Sequence, residues 1–214
     1  MDKSNIPIGL ISQLKTKGVE VKYNQGEHIY KQNAPLGHLY WVEYGLVKIF
    51  KESKNHRETI ISVCGKGDFI EILSLWNNQV SNFSAMAIQE TKLILLDNEA
   101  FKNIFLSVTE YSTYLLGITS DQSLQTINRL IAINQKQLPG RVADLVLYFY
   151  ALFGNNITFQ FPLNRRELAH FAGTTKESLI RTLTEFKNDR IIDLDDREVK
   201  INSMEIVKTL SRLG

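Results

Sequence analysis

Residues 163–186, LNRRELAHFAGTTKESLIRTLTEF, leave the chain few ways to fold. Asn164 followed three residues later by Glu167 fits a capping box, and Thr174 followed by Glu177 fits it again. Leu168 and Phe171 give the first helix an apolar face, and Gly173 must end it. Leu179, Leu183 and Phe186 give the second helix a buried stripe. Two short, individually capped helices around a tight glycine turn make the helix-turn-helix pattern.

Burying that stripe turns Lys176, Glu177, Ser178 and Arg181 outward on the N-terminal half of the second helix, the end that enters the major groove in this motif. Arg181 can give two hydrogen bonds to guanine N7 and O6, and Glu177 can accept from cytosine N4. Lys176, Ser178 and Thr175 suit phosphate or base contacts, and the helix N-terminus itself favours a phosphate oxygen. With Thr174 in the turn and Arg165 opening the first helix, these residues form the candidate DNA-binding set. The plainer alternative is an i, i+4 Glu177–Arg181 ion pair on a solvated face, worth about 0.2–0.5 kcal/mol. After a double-capped turn, the groove reading is preferred.

Beyond Phe186, Ile191–Asp193 and Val199–Ile201 read as two strands about an Asp195-Asp196 turn, which makes a wing. Asp193, Asp195, Asp196 and Glu198 outnumber Arg197 and Lys200 there, so the wing reads as structural more than phosphate-binding. Charge gives no help: the net is +2, and residues 139–214 hold 11 Lys/Arg against 10 Asp/Glu. A DNA-binding claim must therefore rest on arrangement, not on basic excess.

Upstream the texture differs. From about 20 to 96, short β-like runs (VEVKY, EHIY, HLYWVEY, LVKIF, TIISV, SAMAI, KLILL) alternate with turn signals, among them the polar KESKNHRE, and suggest a sandwich or barrel. A short helix over 6–17 precedes them, ending at Gly18. Helical period takes over at Asp97, a candidate N-cap, with Phe101, Ile104, Phe105 and Val108 following. A segment of roughly 28 residues, Glu110 to Gln137, then carries Tyr111, Leu115, Ile118, Leu124, Ile127 and Ile131. So long a helix packs on a partner, although Gln122 and Gln125 interrupt its seam. LPG at 138–140 reads as its breaker, and RVADLVLYFYALF as a further amphipathic helix before the strand ITFQF.

In this order of elements, GLVKIF (45–50), KGDFIEILSLW (66–76), GRVADLVLYF (140–149) and LNRRELAHFAGTTKESLIRTL (163–183) resemble the CRP/FNR family of bacterial transcription regulators. The resemblance spans nearly the whole chain and implies an α+β protein. It predicts a cyclic-nucleotide-binding-type β-roll (a double-stranded β-helix or jelly roll), a long dimerisation helix and a C-terminal winged helix-turn-helix. The corresponding segments are 1–108, 109–138 and 139–214. Gly45 and Gly67 fall where the family uses turn glycines. Glu177 and Arg181 fall on its commonest base-reading positions, and Lys176 on the flanking one. The resemblance further implies a homodimer on double-stranded DNA, working with RNA polymerase.

The departures bear on the effector. Where cyclic-AMP-binding members carry Gly-Glu after Asp-Phe and Arg-Ser further on, this chain reads Glu71-Ile72 and Phe83-Ser84. The carboxylate for the ribose and the arginine for the phosphate are absent, and Phe carries neither charge nor donor. No cofactor is expected, and cyclic AMP in the usual pose is argued against. The candidate effector pocket is Phe69, Glu71, Ile72, Leu73, Phe83, Ser84, Ala85, Thr126 and Ile127. Filling by Phe83, Ile72 and Trp76 argues for an apolar ligand or none.

Other classes fare worse. The single Cys64 excludes an intramolecular disulfide and a cysteine-held cluster within one chain. His28, His38, His56 and His170 are scattered, so a cupin-like metalloenzyme fails on spacing, and no P-loop or G-x-G-x-x-G occurs. No apolar run reaches the roughly 18–20 residues of a membrane span, and MDKSNIPIGL lacks a signal-peptide pattern, so a cytoplasmic address is expected. The leading reading is a non-enzymatic, sequence-specific DNA-binding regulator reading a palindrome, with a small-molecule effector other than cyclic AMP as a further layer. The alternatives are a sensor whose pocket is the main function and an effector-independent regulator.

Overall fold

The computed structural model describes residues 6–53, 58–76 and 80–214. Met1–Asn5, the first half of MDKSNIPIGL, and the centre of the KESKNHRE turn with His56 lie outside the described residues. The chain divides into two compact units, Met1–Thr126 and Ile127–Gly214.

The first unit opens with α1 (Ile8–Lys17), followed by β1 (Val19–Tyr23), β2 (His28–Tyr30), β3 (His38–Tyr44), β4 (Val47–Glu52), β5 (Glu58–Cys64), β6 (Phe69–Ile70), β7 (Ser84–Ala87) and β8 (Thr91–Asp97). These form two four-stranded antiparallel sheets, ordered β1-β8-β3-β6 and β2-β7-β4-β5. Next come α2 (Asn98–Ser107) and the first part of α3 (Thr109–Gln135). Asp97 caps α2 as its sequence suggests, its Oδ1 accepting from the amides of Glu99 and Ala100.

Why HLYWVEY and KLILL are apolar on both faces is now clear. β3 and β8 lie inside their sheet with both faces covered. Leu39, Trp41, Ile94 and Leu96 pack toward α1, α2 and α3, together with Leu10, Leu14, Phe101, Tyr111, Tyr114, Leu115 and Ile118. Tyr40, Val42 and Leu93 alternate to the other face and meet Val47, Ile49, Cys64 and Ala85 of the second sheet.

Along α3 the apolar residues separate into two sets. Tyr111, Tyr114, Leu115 and Ile118 are buried. Leu116, Leu124, Ile127, Leu130 and Ile131 are exposed and recur at helical spacing on one face. Gln122 does not spoil a seam, since its Nε2 reaches back to Asp68 Oδ1 at 3.3 Å. Among the described residues no helix is long and apolar enough to cross a membrane.

The second unit contains α4 (Leu138–Leu152), β9 (Thr158–Gln160), α5 (Arg165–Phe171), α6 (Lys176–Asn188), β10 (Ile192–Asp195), β11 (Glu198–Ile201) and α7 (Met204–Leu213). A three-stranded sheet, ordered β10-β11-β9, forms the wing and its base. LPG corrects the sequence reading: α3 has ended at Gln135, and LPG is the first turn of α4, with Pro139 at the helix start where its missing N–H costs nothing. Gly140 is there for close approach, because a Cβ would lie 2.6 Å from the Gly214 Cα at the end of α7. The core gathers Phe149, Phe161 and Phe171, with ring centroids 5.5 Å apart for Phe149–Phe161 and 6.1 Å for Phe149–Phe171. The β-roll-type unit, long helix and winged helix-turn-helix are thus those the sequence predicts.

Candidate nucleic-acid interface

The interface is built on two capped helices. Asn164 Oδ1 accepts from the amides of Arg166 and Glu167 at 3.0 Å, and Glu167 Oε2 accepts from the Asn164 amide at 2.9 Å, a complete capping box. The second box is a correction. Thr175, not Thr174, caps α6, its Oγ1 accepting from the Ser178 amide at 3.2 Å, and Glu177 takes no part. The turn explains the shift of one residue. Gly173 adopts φ +64° and Thr174 N–H returns to the Ala169 carbonyl at 2.9 Å, so Thr174 is spent on closing α5. A Cβ on Gly173 would also meet the Ile133 side chain at 2.9 Å.

From that start α6 buries Leu179, Thr182, Leu183 and Phe186. Lys176, Glu177 and Arg181 are exposed, as is Thr175. Ser178 is half-buried and receives the Thr175 hydroxyl at 3.1 Å, so it belongs partly to the cap. Thr174 is half-buried in the turn. The Glu177–Arg181 pair of the plainer reading is not what forms: Arg181 Nε lies 3.9 Å from Glu185 Oε1, both well exposed, and such a pair is worth little. The Arg181 guanidinium is thus presented outward with donors available to a base edge.

Beside α6 the structure assembles a cationic cleft of about 370 Å³ lined by Leu163, Asn164, Arg165, Arg166, Lys176, Asp196 and Arg197. Arg165 donates through Nη2 to the Asp196 carbonyl in the wing turn, and Phe161 lies under its guanidinium at 5.9 Å. Its Nη1 is buried with no hydrogen-bond acceptor. Burial lowers the Arg165 pKa, with Asp196 opposing and Arg197 adding to the fall. Four cations around one concavity suit a phosphate oxygen. Arg166 and Arg197 were missed by the sequence reading. Arg166 merely adjoins Arg165, but Arg197 arrives only through folding of the wing, which supplies a cation despite its acidic strands.

The candidate effector residues do not all come together. Phe69 and Ile72 belong to the core toward the helices. Ala85 lies in the inter-sheet core, with Phe83 packed against it. Ser84 alternates to the opposite face of β7, where its Oγ accepts from the Gln32 amide at 3.0 Å. Leu73 is 61% exposed, and Trp76, read as filling the roll, is 53% exposed against Phe105. Thr126 Oγ1 donates to its own helix at the Gln122 carbonyl, and Ile127 is exposed on α3.

Glu71 stands at φ +68°, a conformation that favours glycine. Its Oε1 and the Tyr30 hydroxyl are buried without a hydrogen bond of normal geometry. Burial raises the Glu71 pKa, with Ser74 and Tyr30 pulling it down, and burial followed by the Glu71 charge raises that of Tyr30. No arginine occurs before Arg129 except Arg57, outside the described residues. The described roll therefore offers no guanidinium to a cyclic phosphate.

Comparison with known proteins agrees with this geometry. Residues 20–107 match the cyclic nucleotide-binding domain and residues 140–210 the Crp-like helix-turn-helix domain. The chain is 25% identical to a CRP-like cAMP-activated global transcriptional regulator of Mycobacterium tuberculosis, over 86% of this chain and 84% of that protein. It is 22% identical to the cyclic AMP receptor protein of Thermus thermophilus, over 88% of this chain and 86% of that protein. The structure of FixK2 from Bradyrhizobium japonicum shares the fold, with a TM-score of 0.82 at 20% identity, covering 90% of this chain and 96% of that one. Both domain matches, in this order and joined by α3, lead to one conclusion: the chain belongs to the CRP/FNR family and is a DNA-binding transcriptional regulator.

Proposed function

We propose that the protein is a cytoplasmic homodimer that reads a two-fold-symmetric operator, one α6 per half-site, with half-site centres about 34 Å apart. The observation that carries this reading is the outward face of α6, where Glu177 and Arg181 stand exposed above a fully buried Leu179–Leu183–Phe186 stripe. Arg181 addresses guanine, Glu177 the cytosine amino group, and Lys176 and Arg165 adjacent phosphates. The exposed apolar face of α3 supports pairing of two copies, since apolar residues recurring on one face of a long helix gain by packing on a partner. RNA polymerase is the further partner, and the role is regulatory, not catalytic.

The same reading dispenses with cyclic AMP in the usual pose. Support comes from Glu71 at the turn, Phe83 without charge and Ser84 engaged by Gln32. A second reading, in which another small molecule modulates DNA binding, is favoured by the buried Tyr30 hydroxyl and Glu71 carboxyl, polar groups facing each other inside the roll. Such a molecule would offer those groups hydrogen bonds and bury apolar surface.

Selection of bound duplexes from a random pool, without added effector, tests the main reading. A palindrome should be recovered, and Arg181→Ala should relax one G·C position per half-site by about 1–3 kcal/mol. Salt-sensitive binding without sequence preference, by a monomer, would sink it.

A further inference from the structure

The large apolar side chains of α6 are Leu179, Ile180, Leu183 and Phe186. Three are buried and fill the packing surface of the helix, whereas Ile180 is 40% exposed. At 3.6 residues per turn, Ile180 lies one turn beyond Glu177, next to Arg181 and one turn before Thr184, all of them exposed. Thr184 Oγ1 donates to the Ile180 carbonyl at 2.8 Å, so that hydroxyl proton is committed to the helix backbone. Single exposed isoleucines are ordinary on protein surfaces. What sets this one apart is its position inside the polar face that the DNA-binding reading turns toward base edges.

A major groove offers many hydrogen-bonding groups and one apolar group, the 5-methyl of thymine. An isoleucine there gains nothing from guanine, cytosine or adenine edges and desolvates them unproductively. We propose that Ile180 is a specificity residue that packs on a thymine 5-methyl, at a base pair next to the one addressed by Arg181. The proposal rests on α6 reading DNA and adds which base the apolar part of its face selects. Thymine is thereby favoured by contact, and cytosine at the same position is disfavoured by an unmatched amino group.

The test separates this proposal from the reading beneath it. With a selected duplex in hand, each thymine is replaced in turn by deoxyuridine, which removes the methyl and nothing else. Wild-type protein should lose about fourfold in affinity at one thymine per half-site, the worth of one buried methyl group. Ile180→Ala should bind thymine and deoxyuridine duplexes equally, and Ile180→Val should retain part of the discrimination. Because the deoxyuridine series also runs on unaltered protein, a poorly folding variant does not remove the test. Indifference of the wild type to every deoxyuridine, or an undiminished methyl effect in Ile180→Ala, overturns the proposal while leaving sequence-specific binding intact. Failure to select any sequence overturns the DNA-reading assignment instead.

Discussion

Arg141 Nη1 hydrogen-bonds the carbonyl of Gly173 at 3.0 Å, and the same nitrogen reaches the Ile133 carbonyl at 3.3 Å. One guanidinium on α4 thereby holds both the turn of the helix-turn-helix and the last turns of α3. Nearby, Lys136 Nζ bonds both Asp144 carboxylate oxygens at 2.9 and 2.8 Å. Arg129 stacks over the Phe171 ring at 4.1 Å, with burial lowering its pKa. The end of α3 and the residue after it are thus fastened to α4, to α5 and to the turn beyond α5 by cations.

Loss of that fastening should be measurable. Arg141→Met, which keeps the stem and removes the donors, should cost about 2–3 kcal/mol in denaturant unfolding followed by circular dichroism. Gly173→Ala should cost about 1–2 kcal/mol for its left-handed backbone alone, before any clash. Adding Ile133→Ala should relieve the clash with the Ile133 side chain but not the backbone part, so a double-mutant cycle separates the two.

The cationic cleft leads to a different signature. Lys176→Ala and Arg197→Ala should each weaken binding about equally on all duplexes. Each should lower the slope of log affinity against log salt by about 1, the mark of one lost phosphate contact. Titrations from low to moderate salt check this. Arg165→Ala should also loosen the wing, because its guanidinium holds the Asp196 carbonyl.

Glu71 carries a pH dependence of definite sign. Its folded pKa is raised by burial, so the folded state prefers the protonated carboxyl. That preference stabilises the fold fully below the ordinary glutamate range, near pH 4, and is lost as pH rises through the folded value. Glu71→Gln removes the titration. Its Tm advantage over wild type should therefore grow from pH 4 toward neutrality; a constant difference would show the carboxyl to be solvated.

Pairing of two copies should depend on the exposed face of α3. Leu124→Ala together with Ile127→Ala should raise the dimer Kd by on the order of tenfold to a hundredfold, read by sedimentation. Because both side chains are exposed within one chain, any fall in Tm should follow loss of the dimer and so depend on protein concentration.

How much of this was legible depended on the range of the interaction. Capping is local, so Asp97 and the Asn164–Glu167 box could be read directly, and the α6 stripe followed from period alone. The Thr174 box failed because the choice between two adjacent threonines is made by the Ala169 carbonyl across the turn. α7 was within reach of the sequence, since Met204, Val207 and Leu210 recur one turn apart on its covered side, and the reading stopped short of it at the wing. The two sets of apolar residues on α3 share one periodicity and differ in what covers them, which no single stretch encodes. Arg197 joins Arg165 and Lys176 through the β10–β11 turn, and Trp76 turns outward onto Phe105, both consequences of packing between distant segments.

The wing's strands are anchored by the buried Ile192, Val199 and Ile201, but its outer end is held by main-chain groups. Lys187 Nζ grips the Leu194 carbonyl at 2.8 Å and Arg165 grips that of Asp196, and neither bond uses a wing side chain. Its placement beside α6 therefore depends little on the side chains at the tip, apart from Asp196, whose φ of +44° favours a small polar residue or glycine. Charge there can drift from acidic to basic over generations, retuning the grip on DNA while the scaffold stays still.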